Sequence, residues 1–157
     1  MTGPVEPPSR LLSGDHRGLD REFEEFQAAA GYGRDRRQQI FARFAAGLRR
    51  HIEVEERLLF PAFGEGDPSH RHLVDLMLDE HRRIEGILDR IRLRLETGPT
   101  STEDLESELV NVLWAHNVRE EGSVYPWFDT HLPEERIREV TRALRDPDPP
   151  GRAPEGP

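Results

Sequence analysis

Arg50-His51-Ile52-Glu53-Val54-Glu55-Glu56-Arg57-Leu58-Leu59-Phe60-Pro61 is the stretch that decides how the rest of the chain is read. His51 and Glu55 are four residues apart. On a helix that spacing puts both side chains on one face, about 40° apart around the axis. An imidazole nitrogen and a carboxylate oxygen aimed at one point are half of a metal site. Taken alone, the pair reads equally well as a surface ion pair, since helical neighbours at this spacing attract in water. The decision rests on whether the chain supplies partners.

Working outward, the apolar residues fall into helical registers. Leu12, His16, Leu19, Phe23, Phe26 and Ala30 form a first stripe, closed by Gly31-Tyr32-Gly33. Phe41, Phe44, Leu48, His51, Glu55 and Leu58 form a second, which stops at Pro61, and a Gly/Pro loop follows. Val74, Met77, His81, Ile84, Leu88, Ile91 and Leu95 form a third, closed by Gly98-Pro99. Thr100 and Glu103 have the spacing of a capping box for a fourth helix, which carries Leu109, Val112, His116, Glu120 and Val124 and stops near Pro126. Pro133 opens a short fifth helix bearing Ile137, Val140 and Leu144. The expected fold is all-α: an up-down-up-down four-helix bundle built from a duplicated helical hairpin, with the short fifth helix capping one end. Residues 1–10 and 146–157 are Pro-rich and read as disordered tails around a domain at 11–145.

The duplication is explicit. A shift of 65 residues lays His16 on His81, Asp15 on Glu80 and Asp20 on Glu85. The same shift lays His51-x-x-x-Glu55-Glu56 on His116-x-x-x-Glu120-Glu121, and Phe60-Pro61 on Tyr125-Pro126. Four histidines thus sit on core stripes, one per helix, at depths that let them meet at one level. A lone buried histidine is usually a hydrogen-bonded core residue. Four of them with two inward glutamates are different, because an uncompensated buried carboxylate costs several kcal/mol. A metal cation supplies the compensation.

Composition narrows the rest. No cysteine is present, so thiolate zinc sites, iron–sulfur clusters and cysteine nucleophiles are excluded. A net charge of −9 argues against nucleic acid or an anionic membrane as partner. No long apolar run suggests a membrane span, and no apolar signal-peptide centre follows Met1; a cytoplasmic monomer is expected. His70, His72 and His131 are expected at the surface, and Trp114 away from the site.

The pattern His16, His51-x-x-x-Glu55, His81, His116-x-x-x-Glu120 resembles the hemerythrin-like (HHE cation-binding) domain family, over about residues 11–128. The resemblance implies two non-haem iron ions with an oxo or hydroxo bridge inside the bundle. Glu55 and Glu120 would bridge them, and His16, His51, His81 and His116 would be terminal ligands. Oxygen carriers of the family have a fifth His where this chain has Met77, and an Asp one residue beyond the position of Glu120. A thioether is a poor ligand for such iron, so Met77 is expected to pack beside the site and leave two coordination positions open. Asp20, Glu85 or a tyrosine are candidates for the missing ligand; Asp20 and Glu85 are otherwise expected to orient imidazoles. Tyr125 is the candidate phenol for redox or hydrogen-bonding work. Open positions favour catalase- or peroxidase-like chemistry, or scavenging of reactive oxygen or NO, with O₂, H₂O₂ or NO as the small ligand. The alternatives are reversible O₂ binding, O₂ or iron sensing, and a metal that chiefly holds the bundle together. Ferritin-type sites need Glu-x-x-His, which does not occur here, and four-coordinate zinc does not use six converging residues.

Overall fold

The computed structural model describes residues 3–98 and 101–145, and every regular element among them is helical. The order is α1 (Pro8–Ala28), α2 (Arg34–Val54), α3 (Phe60–Gly66), α4 (Arg71–Thr97), α5 (Glu103–Arg119), α6 (Tyr125–His131) and α7 (Glu134–Arg145). π-helical turns at Glu55–Leu59 and Glu120–Val124 join α2 to α3 and α5 to α6 without a break. α1 packs along α2, α4 along α5, and α2 along α4.

Helix ends follow local chemistry. α1 starts at Pro8, within the stretch read as a tail. Proline suits a first helical position, since its missing N–H would have had no intrahelical partner. Asp129 on α6 then accepts from the Ser9 N–H at 2.9 Å and from its hydroxyl at 2.5 Å, which ties that first turn down. The 146–157 tail lies outside the described residues. So does Thr100; α5 begins at Glu103, whose N–H donates to the Ser101 hydroxyl at 3.2 Å. Thr102 instead donates to the buried Glu106 carboxylate at 2.7 Å, and Arg37 of α2 donates to Thr102 at 3.0 Å. α4 stops at Gly98, whose φ of 151° is a conformation that residues with a Cβ rarely adopt.

The helices do not stop at Pro61 and Pro126 as the sequence suggested. Proline has no N–H and clashes with the carbonyl four residues back. Here the preceding turn widens: the Phe60 N–H donates to the Glu55 carbonyl, and the Tyr125 N–H to that of Glu120, five residues back in each case. The chain stays helical through both prolines. Each bulge begins on an inward glutamate, which is a common place for this distortion to serve a site.

Two apolar clusters fill the interior. One joins Leu19, Phe23, Phe26, Phe41, Phe44, Leu48, Ile84, Leu88 and Ile91 toward the loop between α1 and α2. The other joins Leu12, Leu59, Phe60, Phe63, Met77, Tyr125 and Phe128 at the opposite end. Burying each of these large side chains is worth roughly 1.5–3 kcal/mol. α7 adds Val140 and Leu144 to the second cluster and lies against α1 and α2. Between the clusters runs a thin polar layer.

Candidate metal centre

That layer is made of His16, His51, Glu55, His81, His116 and Glu120, all buried, with the two glutamates fully so. The His16 and His51 Nε2 atoms are 3.0 Å apart, and those of His81 and His116 are 3.1 Å apart. Glu55 Oε1 lies 3.4 Å from His51 Nε2 and 3.3 Å from His81 Nε2. Glu120 Oε1 lies 3.4 Å from His16 Nε2 and 3.0 Å from His116 Nε2. Each carboxylate therefore touches one imidazole of each pair, and each pair belongs to one hairpin. Ligand-capable atoms gather into two groups, Glu55–His81–His116–Glu120 and His16–His51–Glu120, with Glu120 in both.

Three of the four outward nitrogens are held by a second set of carboxylates. His51 Nδ1 is 2.7 Å from Asp15, and His81 Nδ1 is 2.9 Å from Glu56. His116 Nδ1 is 3.4 Å from Glu80, whereas His16 Nδ1 makes no hydrogen bond and has Glu121 3.5 Å away. Arg119 holds Glu80 in turn at 2.7 Å. A carboxylate only accepts, so in His51, His81 and His116 Nδ1 carries the hydrogen and Nε2 faces the centre. Carboxylate–histidine pairs of this kind fix the tautomer and raise the basicity of a metal-ligating imidazole.

These are not the partners expected at i+4. Glu85 is exposed and touches no histidine, and Asp20 is exposed at the mouth of a cavity. Partial burial, then Glu24 and Glu121, push the Asp20 carboxyl up. The physical reason is ring direction: each imidazole reaches across the bundle with Nε2 inward, which turns Nδ1 toward a neighbouring helix rather than along its own. The true set, Asp15/Glu80 and Glu56/Glu121, is acidic in both halves of the repeat. That repetition was the available signal. Met77 is buried in the second apolar cluster, one turn before His81.

Tyr125 makes the two halves unequal. Its hydroxyl donates to Glu55 Oε2 at 2.9 Å and lies 3.0 Å from His16 Nε2 and 3.1 Å from His51 Nε2. The equivalent residue of the first hairpin is Phe60, which stacks on His81 with ring centroids 5.4 Å apart. One imidazole pair has a phenol over it and the other a phenyl ring. Burial, Glu120 and Glu55 hold the Tyr125 phenol well above its ordinary range.

The electrostatics of the bare cluster show what it lacks. Glu55 Oε1 and both Glu120 oxygens are buried without a hydrogen-bond donor. Burial and the Glu55 charge push the Glu120 carboxyl up to about 8. Burial opposes the charged form of Glu55, but His51 holds its carboxyl well below the usual range. His51 is also raised despite burial, by Glu55 and Asp15, whereas burial lowers His116. Four inward Nε2 atoms and two carboxylates short of donors are a donor set that fits a metal cation.

Comparison with protein-family models matches the hemerythrin HHE cation binding domain over residues 8–128. The chain belongs to that family. A search of curated proteins and one of solved structures each returned no match. In this hemerythrin HHE domain the match begins with α1 and ends inside α6. α7 lies beyond it.

Several peripheral residues complete the account. His72 and His131 are exposed, as expected, but His70 is half-buried. It stacks on Phe63 with centroids 3.8 Å apart and donates to the Phe63 carbonyl at 2.7 Å. Trp127 meets Phe63, Phe128 and His131 and closes that end, and Trp114 points into solvent. No described helix is long and apolar enough to cross a membrane.

Proposed function

We propose that the chain is an up-down-up-down bundle holding two irons, and that it reacts with O₂, peroxide or NO rather than carrying oxygen. The observation that carries this reading is the placing of Glu55 Oε1 and Glu120 Oε1, each within 3.4 Å of one histidine from either pair. A carboxylate so placed is suited to bridge two ions. His16 and His51 would hold one ion, and His81 and His116 the other. Two irons bound there would supply redox electrons and open coordination positions for a small oxidant.

The chain's own groups set the terms of that chemistry. Asp15, Glu56 and Glu80 hold three of the imidazoles with Nε2 inward and draw off part of the positive charge. The two apolar clusters close the polar layer from both ends of the bundle, which leaves the flank between α1 and α5 as its way to solvent. Tyr125 keeps a hydroxyl within hydrogen-bond reach of Glu55 and of the His16–His51 side, where a proton can be delivered. Met77 gives the other side no ligand, which supports open positions over simple carriage.

The test is metal analysis with an optical spectrum of the purified protein, followed by peroxide. Two irons per chain, and peroxide turnover well above that of equal free iron, are expected. One metal per chain, or no turnover above free iron, would overturn the reading. A stable oxygenated form that bleaches on deoxygenation would replace it with reversible O₂ binding.

A further inference from the structure

The repeat that builds the site is broken in how its flanks are sealed. α2 packs closely along α4, and Arg49 of α2 donates to Asp89 of α4 across that seam at 2.9 Å. The equivalent seam joins α5 to α1, and there α5 does not pack closely. In the 65-residue register Arg49 becomes Trp114 and Asp89 becomes Glu24, so the ion pair has no counterpart. Buried Ile52 becomes Asn117, and Glu53 becomes Val118.

A cavity of about 520 Å³ occupies the open seam. Its floor is formed by His16, His51, Glu55 and His116, and its walls include Phe23, Phe44, Leu48, Ile84 and Leu113. Its rim carries an apolar row one turn apart, Val110 (43% exposed), Trp114 (69%) and Val118 (51%). A water molecule takes up about 30 Å³ of liquid. Dioxygen or peroxide, with two heavy atoms each, would fill a small part of such a space. Volumes of roughly 300–1,000 Å³ with apolar walls are those of sites for organic molecules. At the mouth stand Arg17, Asp20 and Glu121, an excess of carboxylate that opposes an anionic ligand. Depth separates this from a docking face for another protein, which would use the rim and leave the floor empty.

We propose that the α1–α5 chamber binds an uncharged, elongated apolar organic molecule with one end against the His16–His51 side of the site. Binding is a property of the chamber and does not require the metal reading to hold. The test is fluorescence titration of the full-length protein with the neutral probe N-phenyl-1-naphthylamine, followed by displacement with decan-1-ol or decanoate. Saturable one-to-one binding is expected, with decan-1-ol displacing the probe at concentrations at least tenfold lower than decanoate. Asp20→Asn should narrow that gap. Leu113→Trp should weaken probe binding at least tenfold, and Leu93→Trp, on the exposed face of α4, should leave it unchanged. Val110→Trp narrows the same mouth from a half-exposed position, so it reads the chamber even if Leu113→Trp unfolds. The proposal is overturned if the native chain shows no saturable binding, or if folded Val110→Trp binds as the native chain does. A dimer that buries the Val110–Trp114–Val118 row and excludes the probe would also overturn it.

Discussion

Glu55 and Glu120 are the side chains on which the centre most depends. Each is fully buried and touches one imidazole of each hairpin. Glu55→Ala or Glu120→Ala should each abolish the paired centre rather than shift its spectrum; two irons per chain in either variant would sink the bridging assignment. The same residues give the metal-free protein an unusual pH dependence. Glu120 is raised from an ordinary 4.5 to about 8, so the folded chain keeps a proton that the unfolded chain has already released. Stability from this source is full below about pH 4.5 and is lost as pH rises through about 8. His51, raised well above 6.5, acts in the same direction. His116, lowered by burial, opposes them below about pH 6.5, so the melting temperature of the metal-free protein should fall between about pH 6.5 and pH 8. Bound metal displaces those protons, so the loaded protein should not show that fall. A metal-free melting temperature that rises over the range would contradict the assignment. On the di-iron proposal, Tyr125→Phe should leave the metal content unchanged but alter the optical spectrum and slow peroxide turnover, because it removes only the hydroxyl that reaches Glu55, His16 and His51.

The element scale shows what the sequence let one read and what it hid. Register and repeat were plain: the stripes through Phe41–Leu58 and Val74–Leu95 mark buried faces, and the 65-residue shift marks the duplication. Pro61 and Pro126 misled, because a proline is normally a stop and a π-turn that accommodates it has no signature in periodicity. Asp20 and Glu85 misled for a related reason. Spacing along one helix says which residues share its face, but not which helix lies beside an imidazole's outer nitrogen. The closing of one bundle end by Trp127 and Phe128 was legible from their place as repeat mates of Ala62 and Phe63, but how tightly the indole seats against α3 was not. Gly66, at the end of α3, faces the Trp127 ring so closely that a Cβ there would overlap it. Gly66→Ala should cost about 1–3 kcal/mol in denaturant unfolding despite alanine's better helix propensity. Combining it with Trp127→Leu should recover part of that loss. An unchanged midpoint for the single variant would mean that the indole moves aside freely.

For the molecule as a whole, the centre sits between two apolar clusters, each able to hold its own end of the bundle. Taking the metal away should therefore weaken the fold without abolishing it. What remains at the middle is two buried carboxylates that share too few protons and donors, Glu55 Oε1 and both Glu120 oxygens among them. An ion that binds only the folded chain stabilises it by about 2.7 kcal/mol when present at a hundredfold excess over its dissociation constant. In a chain of this size each kcal/mol moves the melting temperature by roughly 2–4 °C. Chelation should thus lower the midpoint by roughly 5–10 °C in calorimetry at neutral pH, while far-ultraviolet circular dichroism stays helical below the transition. Adding iron back should restore the midpoint in the native chain and not in Glu120→Ala. If the chelated and loaded proteins melt together, the cluster is not held together by metal, and its protons alone must satisfy it.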